Sequence, residues 1–393
     1  MKKKVKLKKI ILICDTFNPD KTSGAKLIDD LLNELVKKNH VLAIIPKNSN
    51  FLGLFNKNKI LSKRKLKIVF VPCFQIKNYN FLIRGVSEFL MSYILWHKTK
   101  KFINNFKPSS ILVYSPSIFF GFFCNQIKKK FNVKSLCILR DLFPYWAIEI
   151  GLIRNFFIKK LLIYILKNFL EIFDSIGLES KTNIKLMNKR LNNKYFFLPN
   201  WVNIKNFKFN KFKNKKKYDF IFAGNFGGGQ DIEKVLNFIK SFPIKKINKL
   251  YLIGDGMNSN KIKKKNLYNF KNKIIVRKKF TQKKYINFLK NIDFGIVSLN
   301  DQIKSVNFPG RLFSYLMANR PVILLTNKKN ELSNFIDDNK LGISTINLKS
   351  IEKDFYKIDN FYKKLIIGNS HIFNTLKKYN SLSKIANQVE NRL

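Results

Sequence analysis

Four glycines fall within six positions in Ala223-Gly224-Asn225-Phe226-Gly227-Gly228-Gly229-Gln230-Asp231, directly after the apolar run Asp219-Phe220-Ile221-Phe222. Glycine loses more conformational entropy on folding than any other residue, so stability does not explain such a cluster. A loop that leaves a strand, exposes backbone N–H groups and opens a helix suits a diphosphate. Gly224, Asn225, Gly227, Gly228 and Gln230 are the candidate ligands; a merely flexible loop is the alternative. A second strand end, Leu252-Ile253-Gly254-Asp255-Gly256, offers Gly254, Asp255 and Gly256 to a nucleobase or ribose edge. A plain Asp-Gly turn is the alternative there. The third element is Phe308-Pro309-Gly310-Arg311-Leu312-Phe313-Ser314. A Pro-Gly turn starts a helix with Arg311 in its first turn, where a cation opposes the helix dipole by about 0.3–1 kcal/mol. A bound anion removes that conflict, and a guanidinium fork suits phosphate oxygens.

The first half carries weaker signals. Asp15-Thr16-Phe17-Asn18-Pro19 and Thr22-Ser23-Gly24-Ala25 follow an apolar run and open a helix, so Gly24 either lets the backbone approach a phosphate or simply makes a turn. The pattern is not GxGxxG, which argues against a nicotinamide dinucleotide. Leu139-Arg140-Asp141-Leu142-Phe143-Pro144 ends another strand. Asp141 there is either a site carboxylate or half of an internal Arg–Asp salt bridge. His40, His97 and His371 stand without Ser, Cys or carboxylate partners at suggestive spacing, so His-based nucleophilic catalysis and zinc chemistry are poorly supported. Cys14, Cys73, Cys124 and Cys137 form no CxxC pair and read as small buried hydrophobes of a reducing compartment.

The elements that must position these residues are short apolar strands alternating with longer helical stretches, the pattern of parallel sheets covered on both faces. Strands are expected at Lys9–Cys14, Val41–Ile45, Ile68–Pro72, Ser110–Tyr114, Ser135–Leu139, Ser175–Leu178 and Tyr195–Leu198. Helices are expected at Ala25–Lys38 and Ile118–Lys130. Residues 207–217 are Lys-rich with no core pattern and read as a linker. The alternation then restarts, with strands at Asp219–Phe222, Lys249–Ile253, Ile274–Val276, Phe294–Val297 and Pro321–Leu325. The expected organisation is two doubly wound domains, 1–206 and 218–376, facing an interdomain cleft, with 377–393 a helix packing back on the first.

The chain has 393 residues, 46% hydrophobic and 14% aromatic, and a net charge of +52. Its size fits two domains, and its apolar content excludes global disorder. The charge points to a polyanionic partner, although an AT-rich genome that favours Lys, Asn, Ile and Phe codons accounts for it equally well. The lysines are spread along the chain, so no nucleic-acid partner is expected. No segment reaches the ~18–20 uninterrupted apolar residues of a membrane span. The stretches 81–96 and 156–173 carry charges at amphipathic spacing. Each either packs on a sheet or lies in a bilayer interface.

In order and spacing, Ser23-Gly24-Ala25, Arg140-Asp141-Leu142-Phe143-Pro144, Pro199-Asn200-Trp201-Val202, Ala223-Gly224-Asn225-Phe226-Gly227, Gly254-Asp255-Gly256 and Pro309-Gly310-Arg311-Leu312 resemble the family 4 retaining glycosyltransferases. The nearest likeness is to the fucosamine-transferase-like branch of O-antigen and capsule synthesis. The resemblance runs from Lys9 to about Gly342 and implies the α/β GT-B fold, two Rossmann-like domains. It implies transfer of a sugar from a UDP- or GDP-sugar, without a metal, to a lipid-linked or polysaccharide acceptor. The implied place is the cytoplasmic side of an anionic membrane, peripherally bound. It places Gly24, Gly224 and Asn225 at the donor diphosphate and Asp141 beside acceptor and sugar. Asn200 falls at the domain boundary, and Arg311 takes a cationic position that is usually Lys. The chain departs from the pattern where relatives carry two Glu, here Val306 and Ser314. It departs again where they carry Arg and Lys in the glycine loop, here Asn225 and Gln230. A sugar-nucleotide epimerase and a basic nucleic-acid- or membrane-binding protein are the alternatives.

Overall fold

The structure, a computed structural model, describes residues 7–17, 20, 22–49, 56–74, 81–115, 117–189, 194–203, 212–226, 229–255, 270, 273–278, 280–345, 351–367 and 371–393. Pro19, Gly227, Gly228 and Gly256 lie outside the described residues. The chain divides into two compact units, Met1–Pro199 with Leu382–Leu393, and Asn200–Ser381.

The first unit is one eight-stranded sheet in the order β3-β4-β2-β1-β5-β6-β7-β8. Its strands are β1 (Lys9–Cys14), β2 (His40–Ser49), β3 (Lys59–Lys63), β4 (Leu66–Phe74), β5 (Ser110–Ser115), β6 (Lys134–Leu139), β7 (Ser175–Leu178) and β8 (Tyr195–Phe197). All pairs are parallel except β3 with β4. Ile10 through Cys14 are all buried, which is why β1 reads as an unbroken apolar run rather than an alternating one. The connecting helices are α1 (Ser23–Leu35), α2 (Phe81–Phe106), α3 (Gly121–Phe131), α4 (Tyr145–Glu149), α5 (Phe156–Glu171) and α6 (Lys181–Asn188). From β1 the chain winds outward through β2, then returns to β5 on the other side. The carboxyl ends of β1 and β5 therefore mark a topological switch point.

The second unit is a wholly parallel six-stranded sheet in the order β11-β10-β9-β12-β13-β14. Its strands are β9 (Tyr218–Asn225), β10 (Ile247–Asp255), β11 (Ile274–Arg277), β12 (Phe294–Ser298), β13 (Val322–Leu325) and β14 (Gly342–Thr345). Its helices are α7 (Ile232–Ser241), α8 (Gln282–Leu289), α9 (Gly310–Met317), α10 (Glu331–Asp338), α11 (Ile351–Ile367) and α12 (His371–Tyr379). The switch point lies between β9 and β12. Both units are Rossmann-like doubly wound sheets, as the strand–helix alternation predicts.

Two stretches differ from expectation. Within 207–217, Phe212 is buried in the second core, edge-on to Tyr362, and Lys215 pairs with Asp293 at 2.9 Å. Phe207, Phe209 and Phe212, spaced two and then three apart among lysines and asparagines, keep neither a strand's nor a helix's period. β3 is exposed along its whole length, so nothing in its composition marks it as a strand. The chain's last helix, α13 (Leu382–Glu390), packs on α1 in the first unit, where Asn39 donates to Glu390 Oε1 at 3.0 Å. The four cysteines are buried and unpaired, and burial pushes the Cys73 thiol up to about 12.

Candidate functional site

The second unit's switch point gathers the sequence candidates. β9 and β10 run in register through Gly224↔Gly254 and Asn225↔Asp255. Both glycines hold positive φ, 133° and 156°. A Cβ on Gly254 would stand 1.8 Å from the Gly224 carbonyl oxygen. Gly254 and Asp255 are thus the last residues of β10, and the Gly256 half of the Asp-Gly pair lies outside the described residues. Gly254 is there because two backbones approach more closely than any side chain allows.

Across Gly224 lies Arg311. A Cβ on Gly224 would meet its Nη2 at 2.8 Å and its Cζ at 2.9 Å, so the bare glycine makes the floor under the guanidinium. The Phe222 ring lies 4.7 Å from Cζ, a cation–π contact. Arg311 is 8% exposed. Burial lowers its pKa, opposed by the nearby Tyr315 and Tyr285 phenols, yet a guanidinium stays protonated. Burial in turn raises both phenols, so they are neutral. The Tyr315 hydroxyl accepts a hydrogen bond from Ala223 N at 3.0 Å, tying α9 to the end of β9. Among the described residues no carboxylate pairs with Arg311, and its buried Nη1 has no hydrogen-bond partner. A buried charge without a counter-ion is costly. The start of α9 adds to the same deficit, because Pro309 gives its first turn no side-chain cap.

Around this cation the other candidates divide. Gln230 is partly buried and its Oε1 lacks a partner among the described residues. The adjoining Asp231 caps α7, accepting from Glu233 N and Lys234 N. Ser314 turns its hydroxyl back onto its own helix, donating to the Gly310 carbonyl at 3.3 Å. Asn200 is buried and donates from Nδ2 to the Phe308 carbonyl at 2.8 Å, while its own carbonyl accepts from Asn380 Nδ2 at 2.6 Å. It thus braces the residue before Pro309-Gly310-Arg311. Phe222, Tyr285 and Tyr315 escaped the sequence reading; Tyr315, one turn after Arg311, was the available signal. Lys234 escaped it too. This buried lysine pairs with Asp301 and donates to the Leu299 carbonyl at 2.8 Å, so its charge is already balanced.

In the first unit, Thr22 caps α1 by accepting from Ala25 N at 3.1 Å, and its hydroxyl meets that of Thr16 at 2.8 Å. Gly24 fits a tight place: a Cβ would lie 3.3 Å from Thr16 Cγ2 and 3.5 Å from the Tyr114 hydroxyl. Arg140, the other half of the Arg140-Asp141 pair, has a second carboxylate beside it. That carboxylate is Glu179, at 3.9 Å and buried with it after β7, and the Arg140 Nη1 donates to the Leu198 carbonyl at 2.8 Å. Asp141 follows β6 and is half-buried.

No family model and no curated protein sequence matches the chain. Solved structures do. The sucrose-phosphate synthase of Thermosynechococcus elongatus aligns at TM-score 0.73 and 12% identity over 98% of each chain. An α,α-trehalose-phosphate synthase (UDP-forming) of Burkholderia vietnamiensis aligns at TM-score 0.70 and 8% identity, covering 98% of this chain and 96% of that one. WaaG, a glycosyltransferase involved in lipopolysaccharide biosynthesis, aligns at 0.64 and 8%, covering 97% and 98%. The fold is therefore GT-B, with two Rossmann-like units.

Proposed function

We propose that the protein is a nucleotide-sugar-dependent glycosyltransferase whose donor diphosphate rests on the second unit. The observation that carries this reading is Arg311, a buried cation on the Gly224 floor with no carboxylate partner among the described residues. A UDP- or GDP-sugar supplies the missing anion. As the bond from the anomeric carbon to the diphosphate oxygen breaks, negative charge grows on that oxygen. The guanidinium and the uncapped α9 amides are already aimed at the charge, so little reorganisation is needed. These cationic and N–H groups take the part a divalent metal plays elsewhere. The UDP-forming synthase and the lipopolysaccharide enzyme among the structural neighbours agree with such chemistry.

The finer assignments rest on the motif resemblance to family 4 and its fucosamine-transferase-like branch. Under it, Gly24 meets the diphosphate, Asp141 positions acceptor or sugar hydroxyls, and transfer retains configuration. The acceptor is a lipid-linked or polysaccharide precursor of a cell-surface glycan at the cytoplasmic face of a membrane. With Glu absent at Ser314, whose hydroxyl faces Gly310, the unpaired Gln230 Oε1 is the better candidate acceptor for a ribose or sugar hydroxyl. An epimerase reading lacks support, since Phe222, Tyr285 and Tyr315 surround the cation where such chemistry uses carboxylates or histidine. The test is transfer or hydrolysis from a panel of UDP- and GDP-sugars. Turnover that Arg311→Ala abolishes supports the reading. Turnover equal in wild type and Arg311→Ala, or none with any donor, overturns it.

A further inference from the structure

The helical layer on the first unit presents an outer surface that the donor site does not use. α2 packs on β4 and α3, and α3 packs on α5. Inward, α2 buries Met91, Leu95 and Ile103, and α5 buries Leu162, Leu166 and Phe169. Outward, α2 exposes Val86, Phe89, Leu90 and Tyr93, at i, i+3, i+4 and i+7. On α5, Phe157 is 78% exposed, Leu161 57% and Tyr164 63%, joined by Phe156 and by Leu152 just before the helix. The described outer residues of α2 are apolar from Val86 to Tyr93, and those of α5 are apolar up to Tyr164 apart from Lys160. Further along, the outer residues are His97, Lys100 and Lys101 on α2, and Lys167, Asn168 and Glu171 on α5.

The two stripes lie at one edge. α3 begins beside both neighbours: Phe122 stacks on Tyr93 at 4.0 Å, and a Cβ on Gly121 would touch the Phe169 backbone at 3.8 Å. Residues 86–93 of α2 and 156–164 of α5 therefore extend past the start of α3. Helices joining parallel strands run antiparallel to them, so both apolar halves stand at the carboxyl edge of the sheet, the edge that delivers Gly24 and Asp141.

The charge around the stripes selects the occupant. From Phe81 to Glu171 the carboxylates are Glu88, Asp141, Glu149 and Glu171. Glu88 is buried, and Glu171 pairs with Lys167 at 3.9 Å. Arg154 and Lys160, beside the α5 stripe, are exposed, and Lys100, Lys101, Lys129 and Lys130 are exposed further along α2 and α3. The Lys160 ammonium sits 4.6 Å over the Phe156 ring, an apolar body with a cationic head, as suits the boundary between acyl chains and anionic headgroups. Among the described residues no helix is long and apolar enough to cross a membrane. We infer that the outer faces of the first halves of α2 and α5 dock on the surface of an anionic lipid bilayer, with their rings and Leu161 in the interface and the lysines at the headgroups. Given the glycosyltransferase reading, this sets the Asp141 edge of the unit at the depth of a lipid-linked acceptor's headgroup. The docking itself is independent of that reading.

The experiment is flotation of the full chain, without nucleotide, on vesicles of phosphatidylcholine alone or mixed with phosphatidylglycerol, at two salt concentrations. The expected result is binding to the anionic vesicles that weakens with salt. Phe157→Ser/Leu161→Ser is expected to bind at least about tenfold more weakly, with unchanged circular dichroism, melting temperature and sedimentation coefficient. Serine at exposed Ile367, on α11, is the control and should bind as wild type does. Wild type that stays off anionic vesicles at physiological salt, or a double variant that binds equally well, overturns the inference. So does a double variant that turns a dimer into a monomer without altering vesicle binding, which assigns the face to a second copy of the chain.

Discussion

Two arginines are buried at carboxyl ends of their sheets, and the structure treats them in opposite ways. Arg140, after β6, lies against Glu179 and the Leu198 carbonyl. Arg311, on the first turn of α9, lies against Phe222, Gly224 and neutral phenols. Among the described residues, Arg140 has a carboxylate beside it and Arg311 has none. A buried pair holds the local structure together, and breaking it strands the surviving charge. A buried unpaired cation weakens the empty protein and strengthens its hold on an anion. Under the proposed function, Arg140 holds the first unit together and Arg311 meets the donor's charge on the second.

The largest expected effect breaks the first member of the comparison. Arg140→Ala removes the guanidinium beside the buried Glu179 and should cost about 3–5 kcal/mol of stability, read as a lowered midpoint in urea. Arg311→Ala should do the reverse. Transfer from a nucleotide sugar should fall ~100–1000-fold, equivalent to about 3–4 kcal/mol of transition-state stabilisation, while the melting temperature of the nucleotide-free protein is unchanged or higher. Gly254→Ala tests the floor rather than the charge. Its methyl group meets the Gly224 carbonyl and its φ disfavours a side chain, so a loss of about 1–3 kcal/mol in stability is expected, with weakened nucleotide binding. The smallest effect should come from Asn200→Ala, which leaves the Phe308 carbonyl without its donor and costs about 1–2 kcal/mol. Nucleotide affinity should fall by less than in Arg311→Ala, since the turn is loosened and not removed.

Much of this was legible in the sequence. Buried parallel strands such as Ile10–Cys14 and Phe294–Val297 advertise themselves as apolar runs, and the Gly-rich and Pro-Gly-Arg turns mark where β9 and α9 meet. What stayed hidden depends on contacts distant in sequence. Glu179 gives no local sign of pairing with Arg140, and Tyr285 gives none of facing Arg311. The Asn200 amide looks available until the fold sets it against Phe308, over a hundred residues away. Exposed β3 and the Lys-rich stretch around Phe212 lack the periodicity from which elements are read. The amphipathic stretches at 81–96 and 156–173 offered sheet packing or a bilayer interface as alternatives. The helices in fact present apolar residues both inward and outward.

The most direct measurement is the melting temperature of wild type and Arg311→Met with UDP, GDP and their sugars. Saturating ligand at about 100 times its dissociation constant adds about 2.7 kcal/mol to stability. The expected result is a clear upward shift for wild type with at least one nucleotide. Arg311→Met should melt no lower than wild type without ligand and shift little or not at all with it. Equal shifts in the two proteins, or no shift in wild type with any nucleotide, would contradict the placement of the donor diphosphate on Arg311.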